Sequence, residues 1–240
     1  MRKLNFGLDA PNIFRNLLIT SGILATLLIL SMALPPKPVP EIVILRLCLT
    51  LLLFSCLIPS LLMIASSKYF KIKNRDKLIR QLALTGSETV LDVGCGRGLY
   101  TIGFAMVLPN GKVCGIDIWN PEDISSNSEN GILRNIRQSG LENRIRLKTE
   151  DMRRLSFENG SFDVVVASFS IHNINNAEER KKALSEIARV TKNAGRAVIV
   201  DFQKTGEYKE YYLSNGFKLE HRSTAFGVFP TATNLIFRKS

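Results

Sequence analysis

Two long stretches without a charged residue set the first limit on what this chain can fold into. Asn16 to Pro36 and Leu47 to Ser67 each run for 21 residues with no Asp, Glu, Lys or Arg, and both are rich in Leu and Ile. A helix of that length crosses the roughly 30 Å of hydrocarbon in a bilayer. Ser31-Met32-Ala33 would serve as the small-x-small site of a cleaved signal peptide, but the first stretch is longer than a signal core and a second follows at once. Two helices buried in a soluble core are another reading. A transmembrane helical hairpin is the expectation, with spans near 16–36 and 47–67.

Charge then orients the hairpin. Arg2, Lys3 and Arg15 precede the first span, and Lys68, Lys71, Lys73, Arg75 and Lys77 follow the second. Between the spans, Pro35 to Arg46 carries only Lys37 and Arg46, opposed by Glu41. Both ends of the chain and the catalytic domain are therefore expected on the cytoplasmic side. Pro35-Pro36-Lys37-Pro38-Val39-Pro40 reads as a stiff connector on the far side, toward which Arg46 can snorkel. The net charge of +11 divides in the same way. Residues 1–77 hold ten Lys/Arg against three Asp/Glu, and the remainder 22 against 18. Beside a span, the run Lys68 to Lys73 suits anionic headgroups, and nucleic acid is disfavoured as a partner. The division expected is a membrane anchor over 1–67, a basic juxtamembrane linker and helix over 68–84, and a catalytic domain over 85–240.

The catalytic part alternates strands and helices. Apolar strands are expected at Thr89–Val93, Lys112–Asp117, Ile145–Lys148, Phe162–Ala167 and Arg196–Phe202, with closing strands at Phe217–Arg222 and Ala232–Arg238. Helices are expected at Asp76–Leu84, Tyr100–Leu108, Ile132–Ser139, Glu178–Thr191 and Tyr208–Asn215. That order predicts a doubly wound, mostly parallel, seven-stranded α/β sheet covered on both faces.

In such sheets ligands bind beyond the carboxyl ends of the strands. The first strand ends in Asp92-Val93-Gly94-Cys95-Gly96-Arg97-Gly98, a turn that brings backbone close to a ligand and offers the N–H groups of the next helix. Its third glycine comes two residues after the second, not three as in the dinucleotide fingerprint, which argues against a nicotinamide oxidoreductase. Asp117 closes the second strand 19 residues after Gly98, where an acid can accept from ribose hydroxyls. Asp151 follows the third strand and can accept from an adenine amino group, with the Met152 N–H on a ring nitrogen; a loop cap is the plainer reading of that acid. Cys48, Cys56, Cys95 and Cys114 and the two histidines have no zinc spacing, so no metal is expected.

Taken together, V-L-D-V-G-C-G-R-G, G-I-D-I-W, E-D-M-R-R-L-S-F, S-F-D-V-V-V-A-S and L-S-E-I-A-R-V-T-K-N-A-G-R resemble the class I S-adenosylmethionine-dependent methyltransferases, in particular the type 11 group, over residues 85–240. The resemblance implies a Rossmann-like methyltransferase fold with S-adenosyl-L-methionine as cofactor. It sets Asp92, Gly94, Cys95 and Gly96 at the methionine end, Asp117 at the ribose and Ile118 on one adenine face. Asp151 and Met152 hold the adenine edge, and Ser168 lies near the transferring methyl group. His172, just past the fourth strand, is the candidate catalytic base, or else orients a loop. The stretch Trp119 to Gly131 departs from the family's shorter connection and reads either as acceptor pocket or as surface loop. Ala225-Phe226-Gly227-Val228-Phe229-Pro230 reads either as a pocket border or as hairpin core. No Asn/Asp-Pro-Pro-aromatic run and no cysteine follow the fourth strand, which disfavours amino- and cytosine-methylating enzymes of nucleic acids. The expectation is a membrane-anchored methyltransferase of a small or lipidic acceptor; the alternative is a membrane-bound S-adenosylmethionine-binding regulator without turnover.

Overall fold

The computed structural model describes residues 4–33 and 40–240. Arg2, Lys3 and the connector residues Pro35 to Val39 lie outside the described residues. Helix α1 (Pro11–Met32) and helix α2 (Pro40–Ala65) are both long and apolar enough to cross a membrane. Their outward side chains, among them Ile19, Ile23, Leu47 and Leu51, are exposed. The helices pack on each other, and Arg46 Nη2 donates to Ser31 O at 2.7 Å. Both begin earlier than the charge-free stretches do, because Pro11 and Pro40 supply first-turn residues that lack an N–H the helix would leave unpaired.

Most of the stretch expected as a basic linker and helix, 68–84, is helical. α2 passes through one π-helical turn, Ser66–Phe70, directly into α3 (Lys71–Gln81), so the apolar helix and the domain share a continuous helix. Pro59 within α2 does not end it.

The domain is a seven-stranded sheet in the order β3-β2-β1-β4-β5-β7-β6. Its strands are β1 (Thr89–Val93), β2 (Lys112–Asp117), β3 (Ile145–Thr149), β4 (Phe162–Ser168), β5 (Thr191–Asp201), β6 (Phe217–Ala225) and β7 (Ala232–Lys239). β1 to β5 are parallel, while β7 runs antiparallel to both β5 and β6. Between them lie α4 (Leu99–Val107), α5 (Glu129–Ser139), α6 (Ala177–Val190) and α7 (Thr205–Ser214). One core joins α3, α4 and α5 to the sheet through Leu78, Ile102, Phe104 and Ile132. The other joins α6 and α7 through Leu184, Ile187, Tyr208 and Tyr212. Central strand residues Val90, Leu91, Val93 and Val165 are fully buried, as expected for strands covered on both faces.

Two differences from the sequence reading have local causes. β5 starts at Thr191, ahead of the expected Arg196, and passes through Ala194, whose φ of 58° accompanies a shift of register against β4. In the segment Ala225–Pro230, Ala225 and Val228 are buried in the core, whereas its two phenylalanines are not, and the segment does not border the cleft. Phe226 is exposed, Phe229 N donates to Ser66 Oγ at 2.9 Å, and Gly227 lies flat against Phe70. The hairpin tip thus seats on the π-helical turn.

Candidate active site

The glycine turn is tied together from within. Gly94 N and Cys95 N both donate to Ile116 O at 2.9 Å, and Gly96 N donates to Asp117 Oδ2 at 2.7 Å. Thr101, in the first turn of α4, donates through N at 2.8 Å and Oγ1 at 2.6 Å to Asp92 Oδ2. The N–H groups expected to be free for a ligand are therefore largely committed to the protein. A dinucleotide's pyrophosphate needs such groups, so this turn is built for a ligand without one.

Its glycines do different work. Gly94 has φ 72°, and a Cβ there would sit 2.4 Å from Ser170 Cβ, so backbone conformation and packing both require glycine. Gly96 has φ 50°, and a Cβ there would meet nothing nearer than Ile124 Cγ2 at 3.8 Å. The space beside Gly96 is open on the cleft side.

A cavity of about 420 Å³ lies over the carboxyl ends of β1, β2, β3 and β4, a size that fits a small-molecule site. All nine residues expected to contact the cofactor border it. Asp92, Gly94, Cys95 and Gly96 come from the turn after β1, and Asp117 and Ile118 from the end of β2. Asp151 and Met152 follow β3, and Ser168 ends β4. Ile118 is 61 % exposed, an apolar surface available to a flat ring. Asp117 Oδ1 also accepts from Trp119 N at 2.6 Å. Asp151 is less free than the sequence implies: Arg153 Nε donates to both its oxygens, at 3.0 and 2.9 Å, and holds its carboxyl below the usual range.

The electrostatics favour a cation. Among the described residues seven carboxylates border the cavity, those of Asp9, Asp92, Asp117, Asp123, Glu150, Asp151 and Glu179, against Lys71, Arg97 and Arg153. Burial, with Asp117 nearby, pushes Asp92 up to about 7 despite the Thr101 hydrogen bonds that oppose the shift. Asp123 is raised by burial and by Asp117. A positively charged ligand relieves this crowding, whereas a phosphate worsens it.

His172 stands beside the cavity, not in its lining. It lies in a 3-10 turn, Ile171–Asn173, with Nδ1 2.8 Å from Asp201 Oδ1 but off the line of a good N–H bond. Its ring meets Phe202 edge-on at 4.6 Å. The neighbouring Asn173 does reach the cavity.

One wall of the site has no local signal in the sequence. Phe6, Gly7 and Asp9, which precede α1, border the cavity with Ser67 and Lys71. This segment is held by the Trp119–Gly131 stretch: Leu8 N donates to Ser125 Oγ at 2.7 Å, Ser125 N to Leu8 O at 2.8 Å, and Ala10 N to Asp123 O at 3.2 Å. Asn120, Asp123, Ile124 and Asn127 from that stretch border the cavity too, so it is part of the site. Phe169 completes the wall after β4, with φ 53° and its N–H donated to Val200 O at 2.8 Å. Left-handed backbone at a bulky residue is strained.

Comparison with known proteins agrees with this geometry. Residues 90–195 match the family described as "Methyltransferase domain". The ubiquinone/menaquinone biosynthesis C-methyltransferase UbiE of Citrifermentans bemidjiense is 35% identical over 125 residues, covering 52% of this chain and 49% of that protein. The sterol 4-C-methyltransferase strm-1 of Caenorhabditis elegans is 28% identical over 155 residues, covering 63% of this chain and 42% of that one. The chain thus spans about half the length or less of these curated relatives. Among solved structures, the magnesium protoporphyrin IX methyltransferase ChlM of Synechocystis PCC 6803 superposes with a TM-score of 0.59 at 19% identity, covering 73% of this chain and 82% of that one. Residues 90–195 thus resemble a methyltransferase domain, and the sheet order and the cleft agree with that match. S-adenosylmethionine is the cofactor that the resemblance to class I methyltransferases implies.

The residues present fit that cofactor. It carries a positive charge and no phosphate, as the acidic cleft and the self-satisfied turn require. The open face of Gly96 and the bare side chain of Ile118 leave room for its nucleoside.

Proposed function

We propose that this chain is a membrane-anchored methyltransferase of a small or lipid-dissolved acceptor, with the catalytic domain on the cytoplasmic face. The observation that carries the reading is a shared wall. Ser67 and Lys71, within two turns of the end of the apolar helix α2, border the same cavity as the glycine turn. A molecule dissolved in the bilayer would thus meet the site where it leaves the hydrocarbon. The names of the relatives point the same way, since quinones and sterols are apolar.

S-adenosylmethionine supplies a methyl group on a sulfonium, already activated for in-line displacement. The chain's task is then alignment and desolvation. Asp117 takes the ribose hydroxyls, Ile118 supports the adenine, and Asp92 places negative charge at the methionine end. Phe6, Phe169 and the strap over Gly7 exclude water from the reacting end. His172, beside the cleft with its backbone N–H donated to Asp201 Oδ2 at 3.3 Å, is the group to accept a proton from acceptors that must lose one.

Mass spectrometry of lipids and small molecules from cells with and without the protein tests this. The expected result is a membrane-soluble product that is lighter by one methyl group when the protein is absent. No such pair in any fraction contradicts the reading.

A further inference from the structure

Lys71 is the one lysine among the described residues that borders the cavity, and it is nearly out of reach of solvent, with 7 % of its surface exposed. Burial lowers its pKa, and Asp9 opposes that shift. Its Nζ lies 2.6 Å from Asp9 Oδ2 and 3.4 Å from the centre of the Phe169 ring. Ser67, one turn earlier, donates to the same Asp9 oxygen at 3.2 Å. Both donors come from the helix that runs through the π-helical turn at Ser66–Phe70, and π-turns recur at functional sites. The result is a cradle of one ammonium and one hydroxyl holding a single carboxylate oxygen. Asp201 is the other acid whose charge reaches Lys71.

The carboxylate in that cradle is brought by a different part of the chain, the segment before α1. Asp9 borders the cavity itself, and its side chain is 27 % exposed. A ligand carboxylate entering the cleft can take its place on Lys71 with no net change in buried charge.

We propose that Lys71 and Ser67 form the anion anchor of this cleft, and that Asp9 occupies it until a carboxylate or comparable oxyanion of a ligand displaces it. The anion comes either from the amino-acid end of the cofactor or from the acceptor. The inference rests on the cofactor reading above. It extends that reading to residues outside the methyltransferase family match, which begins at residue 90.

The test is calorimetric titration of the full-length protein in detergent with S-adenosylhomocysteine and with its decarboxylated analogue, in wild type, Lys71→Met and Asp9→Asn. Loss of a charged hydrogen bond in Lys71→Met is expected to weaken binding by about 10- to 100-fold. Asp9→Asn removes the internal competitor, so it is expected to bind more tightly. If the cofactor supplies the anion, the decarboxylated analogue binds wild type and Lys71→Met alike. If the acceptor supplies it, S-adenosylhomocysteine affinity is the same in all three proteins. In that case transfer of labelled methyl to membrane lipid extract falls in Lys71→Met and rises in Asp9→Asn. Thermal unfolding of each variant shows that it is folded. Equal weakening by both substitutions makes the pair a structural clip and overturns the proposal. So does no effect on either binding or transfer. A wild-type protein that binds no S-adenosylhomocysteine overturns the cofactor reading as well.

Discussion

Gly96 and Asp117 are joined across two strands: the backbone N–H of the glycine donates to Oδ2 of the aspartate at 2.7 Å. This bond closes the turn after β1 against the end of β2 and holds the carboxylate at the cleft wall. Asp117→Ala is therefore expected to weaken S-adenosylhomocysteine binding by about 1–3 kcal/mol, as charged hydrogen bonds are lost. Titration of the folded variant checks it, and unchanged affinity removes Asp117 from the ribose site.

The first two glycines of the turn should fail in different ways. Gly94→Ala places a methyl 2.4 Å from Ser170 Cβ in left-handed backbone, and should cost roughly 2–4 kcal/mol of stability. Gly96→Ala meets no protein atom within 3.4 Å, so its larger effect should be on cofactor affinity. Urea unfolding and titration on the same preparations separate the two outcomes.

Asp92 gives the site a pH dependence. Its folded pKa, about 7, lies above its ordinary value of 3.8, so the folded protein holds a proton that the unfolded chain has lost. Its contribution to stability therefore falls as pH rises from near 3.8 to about 7. A cationic ligand favours the ionised form, so binding releases that proton and S-adenosylmethionine affinity should rise with pH through about 7. Titrations in buffers of different ionisation heat measure the proton release, and Asp92→Asn should abolish it.

How much of this was legible in the sequence depended on how local the cause is. The strand ends were readable because buried parallel strands are apolar runs, and Asp92, Asp117, Asp151 and Ser168 each terminate or follow one. Helix starts were less so: α5 begins at Glu129 because Ser128 accepts from Gly131 N, a cap hidden in a run of Ser and Asn. The Phe6–Asp9 wall left no trace and Lys71 stood out only as one of a basic run, since their roles come from contacts to Ser125, Asp123 and each other across 58 to 117 residues. No periodicity encodes such distances. His172 was found by residue type, but its distance from the cavity lining could only come from the fold.

His172 and Asp201 supply a further outcome. With Nδ1 2.8 Å from Asp201 Oδ1 and the ring outside the cofactor lining, His172→Asn should reduce turnover by about 100-fold or more. Its affinity for S-adenosylhomocysteine should stay within about twofold, well under the 1.4 kcal/mol of a tenfold change. Steady-state rates beside equilibrium titration distinguish this from a structural loss, which would move both.

Methyl transfer itself tests the account most directly. The purified full-length protein, reconstituted in vesicles made from a membrane lipid extract, is incubated with S-adenosylmethionine labelled in its methyl group. Label is expected in the organic-soluble fraction with matching release of S-adenosylhomocysteine, and Asp117→Ala should lower both. Saturable cofactor binding with no label transferred to any fraction would contradict the account and leave a cofactor-binding regulator in its place.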